Sequence, residues 1–207
     1  MILPYHNFVL TKSRIMKKTI ITVLLSSLSV LSYAQNEQMV TREGFVFGMS
    51  LGISNSIQSF PNKSQNDIGF GLGVKLGYMI NPNIAILLTT NVSGYEYSGI
   101  GRTRKRDFGI LAPSVQYWFK ERFWVLGGIG LGVDAPVFFD IKNPDTNKEE
   151  TEYHSGLGIV GAIGYDIYQG KKFTIDLKAR ITYRNVNITE GKTSGVSPSL
   201  LIGINFY

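Results

Sequence analysis

The residues with the most obvious chemical potential lie late in the chain, where His154, the one histidine after position 34, stands beside Ser155 and two places after Glu152. A histidine, a hydroxyl and a carboxylate could run a hydrolysis, the imidazole taking the hydroxyl proton while the carboxylate orients it. The spacing opposes that pairing if the segment is extended, because adjacent strand residues point to opposite sides and His154 and Ser155 then share no hydrogen bond. Glu152 and His154 can share a face, but no serine is locally matched to them. The expectation is therefore no enzyme, and a histidine solvated at the mouth of whatever the strands build. The run Gly127-Gly128-Ile129-Gly130-Leu131-Gly132 has the composition of a phosphate loop without the helix that must follow one. No cofactor is expected. Arg102, Arg104, Lys105 and Arg106, interrupted only by Thr103, form a basic patch suited to phosphate oxygens or an acidic partner, the plainer alternative being a solvated loop.

The elements that must position these residues are strands. Between Asp67 and Ile80, Ile68, Phe70, Leu72, Val74, Leu76, Tyr78 and Ile80 alternate with Gly69, Gly71, Gly73, Lys75, Gly77 and Met79. Side chains along a strand alternate sides, so this is one apolar face and one small or polar face. Phe173, Ile175, Leu177, Ala179, Ile181 and Tyr183 likewise oppose Thr174, Asp176, Lys178, Arg180, Thr182 and Arg184. In the last segment, Val196, Leu200, Ile202, Ile204 and Phe206 oppose Ser197, Ser199, Gly203 and Asn205. With 23 glycines and little helical periodicity, the chain reads as all-β.

Eight strands are expected, at about 44–54, 67–80, 84–97, 106–119, 123–134, 153–168, 173–186 and 195–207. An even number allows an antiparallel up-and-down barrel to close with both termini at one end. The connections alternate in length: 81–83, 120–122 and 169–172 are tight, while 55–66, 98–105, 135–152 and 187–194 are longer and polar. Pro113 and Pro198 fall inside strands and cannot donate a ladder hydrogen bond, so bulges are expected there. A bulge near Pro113 would also reconcile Phe108 and Ile110 on one face with Val115, Tyr117 and Phe119 on the other. Aromatics gather near both proposed ends, among them Tyr78, Tyr117, Trp118, Phe123, Trp124 and Phe173 at one, and Phe70, Tyr95, Phe108, Tyr153 and Tyr183 at the other.

The start of the chain is of another kind. Met16-Lys17-Lys18 precedes an apolar stretch of about 12 residues from Ile20 to Leu31, and Ser32-Tyr33-Ala34 supplies small residues where a signal peptidase reads. The stretch is too short for a spanning helix, which needs roughly 20 residues. Residues 16–34 are therefore expected to be a cleaved signal, 1–15 an extension upstream of the true start, 35–43 an N-terminal segment and 44–207 the single folded domain. The formal charge of +6 belongs mostly to the leader, since residues 1–34 hold four of the 21 basic residues and none of the 15 acidic ones. The remaining 17 against 15 gives no reason to expect nucleic acid as a partner. With no cysteine, neither a disulfide framework nor a lipid-anchored thiol is available.

From about residue 44 to 207, the alternating strands, the sorted connections and the closing Leu200-Leu201-Ile202-Gly203-Ile204-Asn205-Phe206-Tyr207 resemble the small outer-membrane protein β-barrel domain family, similar in architecture to the OmpX and OmpA barrels. The resemblance implies an eight-stranded antiparallel transmembrane β-barrel in the outer membrane. It also implies lipid and lipopolysaccharide as surroundings, and barrel-assembly machinery that reads the terminal aromatic strand during biogenesis. It does not carry a specific activity, because one architecture hosts many functions.

On this reading Lys75, Asp166, Asp176, Lys178, Arg180 and Arg184 point into the lumen, where charge must be paired or hydrated. They are expected to form a salt-bridged plug with trapped water, the competing view being a narrow hydrated pore. The function expected is non-catalytic: stabilisation of the envelope, or display of outer loops such as 135–152 to an extracellular or envelope protein partner. The rival of another class is a soluble, lipocalin-like barrel with its faces reversed, holding an apolar ligand. Periodicity does not separate the two. Loop asymmetry, glycine on the polar face and the terminal aromatic favour the membrane.

Overall fold

The computed structural model describes residues 40–61, 63–98, 103–136, 153–188 and 191–207. The expected leader and upstream extension, Arg102 and the connection 137–152 lie outside them. Within them the chain forms strands β1 (Phe45–Ser59), β2 (Ser64–Asn81), β3 (Ile84–Ser98), β4 (Thr103–Trp118), β5 (Phe123–Pro136), β6 (His154–Gln169), β7 (Phe173–Ile188) and β8 (Gly191–Phe206). They pair antiparallel in sequence order, and β1 closes on β8 to complete a barrel. Closure removes every sheet edge, which is how a sheet survives in a solvent that offers no hydrogen bonds.

The alternation seen in sequence decides which way each face turns. Along β2, Ile68, Phe70, Leu72, Leu76, Tyr78 and Ile80 are exposed on the outside, while Gly71, Gly73, Lys75 and Met79 are buried inside. Leu51 of β1 lies opposite both Leu72 and Ile202, so the apolar outer band runs continuously across the β1–β8 closure. Near the turn end the band meets aromatics, with Phe206 packed between Phe47 and Phe173 at centroid distances of 6.3 and 6.2 Å.

Three expectations are corrected. The strands run on through 55–59, 64–66, 187–188 and 191–194, which read as loops in the sequence. Mostly polar residues there, with Ile57 the exception on the outer face of β1, broke the alternation in sequence, and the ladder itself does not stop with it. Crossing the apolar band takes roughly 9–11 residues, so strands of 14 to 18 residues extend beyond it.

Neither proline makes a bulge. Pro113 keeps register with Leu88 of β3, while the β4–β5 pairing skips Ala112 and Pro113. Pro198 stays opposite Ile181 of β7, while the β1–β8 pairing skips the residues facing it. Each proline turns its donorless nitrogen toward one neighbour, and the loss is confined to that side. The register shifts lie instead beside the tight turns, between Met79 and Asn81 and between Asp166 and Tyr168.

With β4 unbroken, Phe108 and Ile110 face inward and are buried, and Leu111, Val115 and Tyr117 face out. Trp118, Trp124 and Tyr95 are also inside the barrel and not in the outer aromatic rings. The interior core has two apolar clusters. One, near the turn end, gathers Val46, Met79, Leu87, Trp118 and Trp124. The other, higher up, gathers Phe60, Tyr95, Phe108, Ile110 and Val160.

Candidate functional site in the barrel lumen

Charge is threaded between these apolar clusters in tiers. At the turn end, Gly44 adopts a φ of 73°, a conformation glycine takes without strain, where the chain enters β1. Beyond that bend Val40 and Arg42 are buried. Arg42 Nη2 donates to Asp166 Oδ2 at 2.8 Å and to the Glu121 carbonyl at 2.6 Å, and its guanidinium lies 4.9 Å from the Trp118 ring centroid. Trp118 meets Tyr207 edge-on, and the Tyr207 amide donates to the Lys172 carbonyl, so the last residue is tied to the β6–β7 turn.

The next tier is built around Trp124. Its indole lies directly over Gly164, where a Cβ would come within 2.2 Å of the ring. Lys75 Nζ and Lys178 Nζ sit 5.3 and 5.7 Å from the indole centroid, a favourable placement for cations. Lys75 donates to Gln116 Oε1 at 2.7 Å. Lys178 pairs with Asp176 at 3.4 Å, and Asp176 accepts from Asn205 Nδ2 at 2.8 Å.

Higher still, Arg180 Nη1 donates to Asn91 Oδ1 and to the Leu72 carbonyl, each at 2.8 Å. Beside it Ser54, Ser93, Ser197 and Ser199 link hydroxyl to hydroxyl at 2.6 to 3.0 Å, knitting β1, β3 and β8 across the interior.

The uppermost tier centres on Asp134. This carboxylate takes Arg184 Nη2 and Tyr95 Oη at 2.7 Å each, and Arg106 Nε as a third partner. Arg184 also donates to the Val133 carbonyl and to Gln58 Oε1, both at 2.7 Å, and its guanidinium lies 4.3 Å from the Phe108 centroid. It thereby connects β7 to β5 and to β1 across the full width of the lumen.

All six residues named from sequence as inward charges are buried inside the barrel. They do not form one network, because the structure divides them among separate tiers. The basic patch is also divided. Arg106 belongs to the lumen, since an even position on β4 shares the inward face with Phe108 and Ile110, and it is 6 % exposed against Asp134. Arg104 and Lys105 occupy β4 positions opposite Tyr97 and Glu96 of β3.

Sequence reading missed Arg42, Asp134, Gln58, Gln116, Asn91 and Asn205. Asp134 was accessible by parity, as the next inward position after Gly128, Gly130 and Gly132. Arg42 was not, because it precedes the first strand and carries no periodicity. His154 is half-buried, Ser155 is exposed on the opposite side, and Glu152 lies outside the described residues. Among the described residues no group of three or more His, Asp or Glu side chains is arranged to hold a metal ion.

An outer surface of exposed leucine, isoleucine and aromatic side chains around a charged, hydrogen-bonded interior is the inverse of a soluble ligand-holding barrel. It defines an outer-membrane β-barrel, with the short turns at the end that faces the periplasm in such proteins. The chain belongs to the outer membrane protein beta-barrel domain family, whose model matches residues 20–201. No curated protein matches the sequence.

Among solved structures, Neisserial surface protein A is similar at 12% identity with a TM-score of 0.53, covering 77% of this chain and 96% of its own. Ail, the attachment invasion locus protein of Yersinia pestis, solved in complex with the heparin analogue sucrose octasulfate, is similar at 13% identity and TM-score 0.49, covering 79% of this chain and 99% of its own. The outer membrane protein OprG from Pseudomonas aeruginosa is similar at 12% identity and TM-score 0.41, covering 82% and 98%. At these identities the likeness is one of fold.

Proposed function

We propose that this protein is a closed, non-catalytic barrel that reinforces the outer membrane and holds its outer connections rigidly for recognition. The observation that carries the reading is Arg184, which spans the lumen from β7 to Asp134 and Val133 on β5 and Gln58 on β1 while 0 % exposed. Below it, the Arg180 and Trp124 tiers occupy the bore apart from a small cavity between them. Eight strands leave an interior that side chains can fill, and this one carries long cations alongside glycines that make room for them. Planar bilayer recordings from purified protein test the reading: the expected trace has no sustained open levels, and stable conductance steps would establish the narrow pore instead.

A non-catalytic role is supported by the separation of His154 from Ser155 on opposite faces of β6. Recognition is assigned to the loop end, where the basic stretch Arg102, Arg104 and Lys105 is suited to lipopolysaccharide phosphates and the connection 137–152 to a protein partner. Neutralising those three positions together is expected to weaken lipopolysaccharide binding. Unchanged binding would leave that role to 137–152 alone. The exposed Phe206 at the end of β8 is the residue assigned to recognition by the assembly machinery.

A further inference from the structure

The buried interior is not electroneutral. Arg42, Lys75, Arg106, Lys178, Arg180 and Arg184 are buried against three buried carboxylates, Asp134, Asp166 and Asp176. Four of the cations have a carboxylate partner: Arg42 on Asp166, Lys178 on Asp176, and Arg106 and Arg184 sharing Asp134. Lys75 and Arg180 have no carboxylate within 4.0 Å among the described residues, although Asp166 and Asp176 lie near enough to Lys75 to act on its charge. A buried cation without a counter-charge is among the most expensive groups a protein can hold.

Both of these cations line the same space, a cavity of about 30 Å³ in the lumen. Asn91, Thr89 and Ser50 complete its polar side, and Leu126, Val160 and Ala162 face them. Two buried donors at this cavity lack partners, Arg180 Nε and Asn91 Nδ2. Asn91 is 8 % exposed and Arg180 4 %. The Asn91 amide is held in one sense, because its Oδ1 accepts from Arg180 Nη1 at 2.8 Å, and that leaves Nδ2 free to donate elsewhere. The space is kept open by Gly73, where a Cβ would lie 2.8 Å from Ser50 Oγ and 3.0 Å from Arg180 Nη1.

Excess positive charge, idle N–H donors and a volume for one or two water-sized particles call for an acceptor that carries charge. We propose that this cavity is a binding site for a single small monovalent anion of chloride size, held by Lys75, Arg180 and the Asn91 amide. Water can fill the same volume, but it must point hydrogens somewhere and neutralises nothing. The anion supplies one counter-charge where Lys75 and Arg180 meet, and it locks β2, β3 and β7 together at mid-height. The inference rests on the occluded-lumen reading, since in an open bore the site would be washed by bulk electrolyte.

The test uses the full folded barrel in detergent, with its equilibrium unfolding constant measured in sodium chloride, sodium bromide and sodium gluconate at equal ionic strength. Gluconate is too large for the cavity. At a halide concentration ten times its dissociation constant, the unfolding constant is expected to fall about elevenfold relative to gluconate. Lys75→Met is expected to abolish most of that difference. Asn91→Asp is expected to do so by a different route: the new carboxylate supplies the missing charge, so the variant should be as stable in gluconate as the parent is in chloride.

Bromide-soaked crystals should show an anomalous peak between Lys75, Arg180 and Asn91. Equal stability of the parent in chloride and gluconate, or a chloride effect that survives both substitutions, overturns the site and leaves a water-filled cavity. Conductance measured on the same preparation separates the two failures. A closed barrel without a halide effect removes the anion site alone, whereas a conducting one removes the occluded lumen on which it rests.

Discussion

Arg184 Nη2 stands 2.7 Å from Asp134 Oδ2 across the upper lumen, with the two side chains 0 % and 1 % exposed. The pair is asymmetric in what each partner holds. Arg184 retains the Gln58 side chain and two carbonyls if Asp134 is lost, whereas Asp134 pairs with both Arg184 and Arg106.

That asymmetry ranks the substitutions. Asp134→Asn removes the carboxylate from the fully buried Arg184 and is expected to cost about 3–5 kcal/mol, the usual penalty for breaking a buried pair from one side. Arg106→Met should cost less, because Asp134 keeps Arg184 and the Tyr95 hydroxyl. Urea unfolding of the refolded barrel, followed by the mobility of its unboiled band, gives both values. The opposite order would mean that Asp134 is not the hub of the tier.

The outward face is tested at mid-height. Leu51 is exposed and flanked by Leu72 and Ile202 on its two neighbours. In lipid, Leu51→Arg is expected to cost about 2–4 kcal/mol, and Ile68→Arg, nearer the loop end, about 0–1 kcal/mol. Unfolding from phospholipid vesicles measures the gradient. Equal costs at the two positions would contradict the placement of the apolar band.

Trp124 on Gly164 is the tightest apolar approach in the lumen floor. Gly164→Val should push the indole from its place between Lys75 and Lys178, at about 1–3 kcal/mol by the usual penalty for overpacking. Gly127→Ala is the control, since a Cβ there meets nothing within 4 Å, and a change within about 0.5 kcal/mol is expected. Intrinsic tryptophan emission gives a second readout, because displacement of Trp124 toward water shifts it to the red.

Period-two alternation made the strands and their number legible, and it put Lys75, Asp176, Lys178, Arg180 and Arg184 on the face that is buried in the structure. It worked because lipid and lumen demand opposite residue types on alternate positions. It failed where that demand lapses. Toward the loop end, Ser56 and Gln58 continue the inward face of β1, but polar Asn55 and Ser59 on the outer face made 55–59 look like a loop despite Ile57.

Within β4 the inward face turns apolar at Phe108 and Ile110, because the upper cluster is built on that wall. A facing rule based on polarity therefore gave false support to the bulge expected from the missing donor of Pro113, which plain parity would have avoided. The partners of each charge were not legible at all. Which cation meets which carboxylate depends on strand stagger around a closed barrel, and no local pattern encodes it.

Arg42 is the contact least accessible to sequence reading, and it defines a final test. Its guanidinium joins the segment before β1 to Asp166 of β6, two positions 124 residues apart. Asp166 is 0 % exposed, and its other side-chain contact is a 3.4 Å hydrogen bond from Gln169. Arg42→Met should therefore leave a buried carboxylate uncompensated and cost about 3–5 kcal/mol. Adding Asp166→Leu should restore part of that loss, because two apolar groups of similar reach replace a stranded charge. A double-mutant cycle should return a coupling of roughly 0.5–3 kcal/mol, in the range found for residues in direct contact. Zero coupling would mean that the segment before Gly44 is not held to the barrel through this pair, and that Asp166 draws its stability from the turn alone.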